Sequence, residues 1–486
     1  MTTLVDRDAP RKTFFGQPRV LANLFGVELW ERFSFYGMQG ILLIYLYYES
    51  SRGGLGIPQA TATSIVGAYS GLVYLSTILG AWLADRVLAS ERVLFYSAAV
   101  VMCGHIALAL VPGLAGVAVG LVLIAVGSGG VKANATALVG TLYGEGDTRR
   151  DAGFALFYLG VNLGALIGPL ATGLLQSNVG FHYGFGAAAV GMAIGLVQYA
   201  FGRKRLSDAA RDVPNPLPPA RRPIVAVAAA MFVVLVAAVL LTGLVPAARL
   251  AAVVAGVTAV AAIAYFVVIL TSPRTDARER RRVLAFIPLF VASAVFWSLY
   301  QQQFTVVTIY SDERLDRHIL GWEMPVSWVQ AINPVFIILL AGAFAALWTR
   351  LGDRQPSTPV KFAAGTAIMG VAFLLFLPMR GGGPNSAPLL GLIGVLFVFT
   401  LAELLLSPVG LSVTTQLAPR AFHTQMVALF FLSIALGTAM AGVLAKYYDP
   451  DRETGYFSIL GIAAIVLGVA LAALSPVITR LMSGVR

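Results

Sequence analysis

The sequence predicts an all-α integral membrane protein of two six-helix bundles with a two-helix hairpin inserted between them, fourteen transmembrane helices in all. Three observations predict it. Only 12% of the 486 residues are charged, about half the usual share in soluble domains, while 58% are hydrophobic. Apolar runs near 20 residues, the length that spans a hydrocarbon core, recur fourteen times along the chain. The basic residues are sorted between alternate breaks. Soluble and disordered classes are excluded, because a soluble fold cannot hide that much apolar surface and a disordered chain carries the opposite bias.

The first six runs lie at 23–48, 59–83, 93–111, 114–142, 153–176 and 183–202, forming an N-terminal bundle over 23–202 behind a polar tail at 1–22. A linker at 203–222 contains Asp212 to Pro219, whose four prolines favour extended chain. The hairpin at 223–270 comprises runs at 223–245 and 247–270. These are nearly pure Ala, Val and Leu, with Arg249 in their turn, and hold nothing that does chemistry. After a linker at 271–282, runs at 283–309, 327–349, 360–379, 388–416, 424–447 and 455–480 form the C-terminal bundle over 283–480, followed by a tail at 481–486. Breaks such as Arg52-Gly53-Gly54 and Pro112-Gly113 carry turn residues. Asp85-Arg86 and Asp353-Arg354 each follow the second helix of a bundle, as in repeat-built transporters.

Of the 34 Lys and Arg, seven (Arg52, Arg249, Arg314, Arg317, Arg380, Lys446 and Arg452) fall in breaks on one side. Arg32 and Lys132 lie inside runs, and the other 25 sit on the side that holds both termini. That bias assigns both termini to the cytoplasm. It also accounts for the net charge of +11 through the anionic inner leaflet, with no nucleic-acid partner. A single cysteine, Cys103, excludes a disulfide framework and reads as a small packing residue. His105, His182, His318 and His423 are scattered without metal-ligand spacing, so neither a metal nor another cofactor is expected. Glu28, Glu31 and Arg32 in the first run argue against a cleavable signal peptide. No Walker-type or nucleophile-elbow motif is present, which points away from an ATPase or a hydrolase and leaves an ion gradient as the energy source.

Five ionisable residues fall inside apolar runs: Glu28, Glu31, Arg32, Lys132 and Glu403. Facing lipid, each would cost roughly 2.5–3.5 kcal/mol at a helix centre. They therefore face the interior. Glu28, Glu31 and Arg32 are spaced to share one helical face, which Phe35 and Gln39 continue with Tyr36 beside them. Two carboxylates beside one guanidinium leave a spare negative charge. Lys132, in Gly129-Gly130-Val131-Lys132-Ala133-Asn134, would neutralise it if the fourth helix packs nearby, and the glycines permit that approach. A buried carboxylate that pairs with Lys or takes up a proton is a proton-coupling element; the alternative is a purely structural ion network. Glu403 has no cation on its own helix, so its partner is another helix, water or a substrate amine. Asn162, Asn333 and Gln416 are either ligands or helix-packing contacts. Tyr36, Tyr45, Tyr74, Tyr158, Trp297 and Tyr300 either line a cavity or belong to the core and the interfacial belts.

Several segments resemble the proton-dependent oligopeptide transporters, a branch of the major facilitator superfamily. Glu28-Leu-Trp-Glu31-Arg32-Phe33-Ser34-Phe35-Tyr36-Gly37 resembles its E-x-x-E-R-F-x-Y-Y-G signature, with Phe35 at a usual Tyr. Phe157-Tyr158-Leu-Gly-Val-Asn162-Leu-Gly164 resembles F-Y-x-x-I-N-x-G. Supporting matches are Gly80 to Arg86, the Lys132 segment, Phe296-Trp297, Gln330 to Pro334 and Glu403 to Pro408. The inserted hairpin is typical of bacterial members. The resemblance implies a proton symporter that imports di- and tripeptides across the bacterial inner membrane by alternating access. It would act as a monomer in the bilayer, with protons as coupling ion and no catalytic role. Glu28 and Glu31 would be the protonation and ion-pair carboxylates. Arg32 and Lys132 would hold the peptide carboxylate, Lys132 also switching partners with the glutamates. Glu403, Asn333 and Asn162 would take the amino end and backbone, while Tyr36, Tyr74, Tyr158, Trp297, Ser407 and Phe430 line the pocket.

Two departures from the family pattern matter. An Arg usual seven residues after Arg32 is Gln39, and the Glu usual in the seventh helix is Gln301. The family's salt-bridged gate is thus expected to become a neutral, hydrogen-bonded Gln39–Gln301 pair that does not titrate, since losing both charges avoids an unpaired one, which leaves proton coupling to Glu28, Glu31 and Glu403 with Arg32 and Lys132. The usual eleventh-helix Trp is Phe430, and the second-helix His of animal members is absent. A carrier of another small organic molecule or anion is the alternative within the class. A receptor or channel is the alternative outside it.

Overall fold

The computed structural model describes residues 13–144 and 147–484. The first bundle consists of α1 (Arg19–Tyr47), α2 (Gln59–Leu83), α3 (Ala89–Leu110), α4 (Gly113–Gly140), α5 (Arg150–Asn178) and α6 (Phe181–Gly202). The hairpin is α7 (Arg222–Thr242) and α8 (Leu250–Thr271). The second bundle has α9 (Ala277–Tyr300), a short α10 (Val306–Glu313), α11 (Ile332–Leu351), α12 (Thr358–Leu374), α13 (Leu389–Leu417), α14 (His423–Ala445) and α15 (Glu453–Leu481). Twelve segments among the described residues are long and apolar enough to cross a membrane. One of them, Gln59–Leu110, contains both α2 and α3, because a π-helical turn at Ala84–Leu88 joins them without a loop. Charged α1 is not among the twelve.

The seventh run does not form the single helix expected over 283–309. Successive amides at Gln301, Gln302 and Gln303 tighten into a 3-10 turn, Thr305 leaves the helical region at φ −127° and ψ −92°, and α10 restarts from there. Side chains compete with the helical ladder at this break: Thr308 donates to the Gln303 carbonyl at 2.9 Å, and Tyr456 of α15 donates to Gln302 Oε1 at 2.9 Å. A two-stranded ribbon, His318–Ile319 with Trp322–Glu323, was not anticipated. The proline-rich linker bends at residues 212, 214 and 215, and it is pinned: the Asn215 and Leu217 amides donate to the Asp85 and Arg86 carbonyls at 3.0 and 2.9 Å.

In the first bundle α1 packs on α5 and α6, and α4 on α2 and α3; in the second, α12 packs on α13 and α15 and α9 on α14. The bundles meet along two seams, α2 with α14 and α5 with α11. The first seam is a backbone contact. A Cβ on Gly67 would lie 2.5 Å from the Gly442 Cα, so neither position admits a side chain without separating the helices. The hairpin is peripheral in only one of its helices. None of the described α7 side chains is buried, whereas α8 lies against both α2 and α14, burying Ala251, Val254, Ala255 and Thr258. The Ala251 amide also donates to Ser64 Oγ at 3.1 Å.

Candidate functional site

The three charges of α1 form one buried cluster, as their helical spacing requires. Arg32 Nε donates to Glu28 Oε1 at 2.7 Å, and its Nη1 lies 3.3 Å from Glu31 Oε2. Glu31 is fully buried, and Glu28 and Arg32 are nearly so. α4 does pack beside them, but its glycines set its contacts with α2 and α3 rather than with α1: a Cβ on Gly129 would lie 2.3 Å from the Ser76 backbone of α2. The group α4 bonds to the cluster is nevertheless not Lys132. Ser128 Oγ donates to Glu31 Oε1 at 2.8 Å, and Lys132 makes no ion pair among the described residues. Its ammonium sits 4.2 Å from the ring centroid of Tyr74 and 5.3 Å from that of Phe35, held by cation–π attraction. The expected Lys132–glutamate pair is therefore unformed in this structure. Ser128 lies four residues before Lys132 and so shares its face, which is the signal that could have revealed it.

Across the bundle interface, Glu403 of α13 meets Asn333 of α11. Asn333 Nδ2 donates to Glu403 Oε2 at 3.2 Å and to Thr400 Oγ1 at 3.0 Å, and its Oδ1 accepts from Tyr300 at 3.2 Å. Glu403 has no cationic partner among the described residues. Ser407 is half-buried one turn further along α13. Tyr36, one turn along α1 from Arg32, stacks on Phe304 of the second bundle at 6.0 Å. Trp297 packs edge-on against Tyr300 at 5.1 Å, and its indole N–H is buried without a partner. Phe430 is buried against Gly410 of α13. Asn162 donates to the Tyr158 carbonyl at 2.9 Å, and Tyr158 is exposed. Gln416 donates to Ser412 of its own helix at 3.2 Å and is not part of either cluster.

The α1 cluster holds unsatisfied polar atoms, and the Glu403 cluster lacks a cation among the described residues. Arg32 Nη1, Glu28 Oε2 and Glu31 Oε2 have no properly aligned hydrogen-bond partner, although buried polar groups are nearly always paired. A ligand carboxylate near Arg32 and Lys132, with an ammonium near Glu403, supplies what each end lacks.

The neutral gate does not form as expected. Gln39 Nε2 donates to Ser70 of α2 at 3.2 Å, within its own bundle, and is not bonded to Gln301. Ser70 is within reach because α1 and α2 are neighbours, while Gln301 begins the 3-10 turn that follows α9. Gln301 is still buried. Gln301→Glu would thus bury an unpaired carboxylate, and at least a tenfold loss of transport is expected, since such a charge costs several kcal/mol; wild-type uptake by this variant would refute it.

The bundles are instead tied at the end opposite the termini. Tyr47 and Tyr48 of the first bundle donate to Asp312 of the second at 2.5 and 2.6 Å, and Gln59 donates to Glu313 at 2.5 Å. Ser327 and Trp328 donate to the Pro169 and Leu170 carbonyls of α5 at 3.0 and 3.1 Å. No hydrogen bond joins the bundles at the termini end among the described residues, so the polar ties between them lie at the opposite end. These latch residues escaped the sequence reading because they lie at helix ends and in breaks, where polar residues are ordinary. With Cys103→Ser as background, Tyr47→Phe combined with Tyr48→Phe should speed labelling of a cysteine at position 70 from the latched side by about tenfold, two hydrogen bonds being lost. An unchanged rate would show that the phenols do not hold this end shut.

Comparison with known proteins follows the same lines. Residues 91–459 match the family model described as the POT family. The chain is 43% identical to an uncharacterized transporter of Bacillus subtilis (strain 168), over 99% of this chain and 98% of that one. It is 40% identical to a di-/tripeptide transporter of Lactococcus lactis subsp. cremoris, over 98% of each. Its fold is similar to the crystal structure of a peptide transporter POT in complex with sulfate, with a TM-score of 0.93, 46% identity and 98% of each chain covered.

Proposed function

This chain belongs to the POT family of transporters, with a two-bundle fold of the major facilitator type, and we propose that it is a proton-coupled symporter importing di- and tripeptides by alternating access. The observation that carries this reading is the pair of opposed clusters: unpaired N–H capacity at Arg32 with Lys132 beside it on one bundle, and an uncompensated Glu403 on the other. A peptide zwitterion matches that polarity end to end. The relative named a di-/tripeptide transporter supports the substrate class.

Charge counting favours a proton in the site. The site holds three carboxylates (Glu28, Glu31 and Glu403) and two cations (Arg32 and Lys132). A bound peptide adds one of each, so one negative charge is in surplus whether the site is empty or occupied. Burying the surplus charge is costly. One proton taken by Glu28 or Glu31 removes it, and it also frees Arg32, the cation that both pair with, to turn to the peptide carboxylate; the link to peptide binding is this release. Peptide and proton then enter together through the end that Asp312 and Glu313 tie, and leave through the end that holds the termini. On this reading fourteen helices cross the bacterial inner membrane, both termini are cytoplasmic, the protein works as a monomer, and neither cofactor nor metal takes part.

Uptake of labelled dialanine into liposomes, driven by an inward proton gradient, tests the proposal. Gradient-dependent accumulation is expected, and its absence for every di- and tripeptide tried would defeat it. Lys132→Ala should lower accumulation at least tenfold, because the peptide carboxylate loses a buried cation; undiminished uptake would remove its assigned role.

A further inference from the structure

Away from the transport site, the ends of α3 and α6 on the termini side enclose a shallow cleft of about 400 Å³ lined by Glu91, Arg92, Ala200, Arg203, Lys204 and Arg211. Its floor is preassembled. Glu91 is buried, and its two carboxylate oxygens accept from Arg203 Nε and Nη2, the latter at 3.1 Å, while the Arg203 guanidinium lies 4.1 Å from the ring centroid of Phe95. Arg211 donates to the Arg203 and Lys204 carbonyls at 3.3 and 3.2 Å, which fixes it at the rim. Its one ionic neighbour, Asp208, is 3.7 Å away and almost wholly exposed. Arg92 and Lys204 have no ionic partner among the described residues. The cleft therefore holds four cations and one buried carboxylate, an unbalanced concentration of positive charge that an anion would relieve.

What surrounds the cleft says which anion. One turn along α3 from Arg92 stands Tyr96, 54% exposed; on α6, Val197 and Phe201 are 55% and 81% exposed, next to Ala200 and Lys204. Residues three and four apart share a helical face, so a cationic cleft opens directly onto an apolar wall running toward the membrane interior. A free phosphate would use only the cleft. A phospholipid uses both.

We propose that this cleft is a binding site for the phosphate headgroup of an anionic phospholipid, with an acyl chain laid along Tyr96, Val197 and Phe201. Basic pockets between helices at the membrane surface are suited to such headgroups. The site rests only on residence of the chain in a bilayer, so its failure leaves the transport reading untouched, and uptake is not its readout.

The test titrates the full-length protein in neutral detergent with dioctanoyl phosphatidylglycerol, dioctanoyl phosphatidylcholine or inorganic phosphate, reading bound lipid by native mass spectrometry and the shift in Tm. Phosphatidylglycerol should bind and raise Tm, and phosphatidylcholine should do neither. Arg92→Gln with Lys204→Gln should weaken phosphatidylglycerol binding at least tenfold; both side chains are exposed and unpaired, so the fold should be unaffected. Phe201→Ser should weaken it too. Equal binding of the two lipids, or wild-type binding of phosphatidylglycerol by the double variant, would overturn the proposal. So would inorganic phosphate binding as tightly as phosphatidylglycerol, which would make the cleft a free-anion site.

Discussion

Glu31→Gln is expected to abolish gradient-driven accumulation of dialanine while leaving peptide exchange across a membrane without a proton gradient. Glu31 is fully buried between the Ser128 hydroxyl at 2.8 Å and Arg32 Nη1 at 3.3 Å. Glutamine has nearly the same shape and can still accept from Ser128, so packing survives. What it removes is a negative charge facing Arg32 and a group that can gain and lose a proton. With a neutral side chain in place permanently, a peptide carboxylate can reach Arg32 without any proton entering, and occupied carriers reorient as before. The return of the empty carrier no longer has to release a proton, so the gradient does no work. Accumulation should fall about 100-fold or more, the scale expected when one partner of a buried charge pair is lost at roughly 2–5 kcal/mol. Liposomes containing the variant that concentrate dialanine as the wild type does would exclude Glu31 from coupling. Loss of exchange together with accumulation would show that Glu31 is required for binding or reorientation instead.

The second large effect concerns the other end of the substrate. Glu403→Gln should weaken dialanine binding about 100-fold by the same estimate for a buried charge pair, while N-acetylated dialanine binds wild type and variant equally poorly. The argument is local: Glu403 Oε2 is held by the Asn333 amide at 3.2 Å, and Asn333 is fixed in turn by Tyr300 at 3.2 Å. That network aims the carboxylate, and no basic side chain among the described residues competes for it. Competition against labelled dialanine measures both ratios. If the variant still prefers the free amine over the acetylated form as strongly as the wild type does, the amine is bound elsewhere.

Much of this arrangement could be read from the chain. The helices were visible because a bilayer leaves no choice for an apolar run of that length. Glu28, Glu31, Arg32 and Glu403 stood out because charge is rare there, and the pairing within α1 follows from its spacing. Contacts between distant helices were harder. Lys132 was expected to meet the glutamates, but an ammonium at that depth has aromatic faces as well as carboxylates to choose from, and it lies on Tyr74. Gln39 was assigned a partner in the other bundle from a family pattern, and Ser70 of its neighbouring helix supplies it. The latch of Tyr47, Tyr48, Gln59, Asp312 and Glu313 gave no signal, since polar residues at helix ends are unremarkable one by one.

The two seams between the bundles are not equivalent, and the difference lies in α8. Along α2 and α14 that helix covers the junction from outside, with Ala251, Val254, Ala255 and Thr258 buried there. Along α5 and α11 the hairpin makes no such cover. When the bundles part, one flank is sealed by a piece of the same chain and the other borders directly on acyl chains. The transporter thus has a gasket on one side only. Lateral intrusion of lipid between the bundles is therefore expected along the α5–α11 flank rather than along α2 and α14.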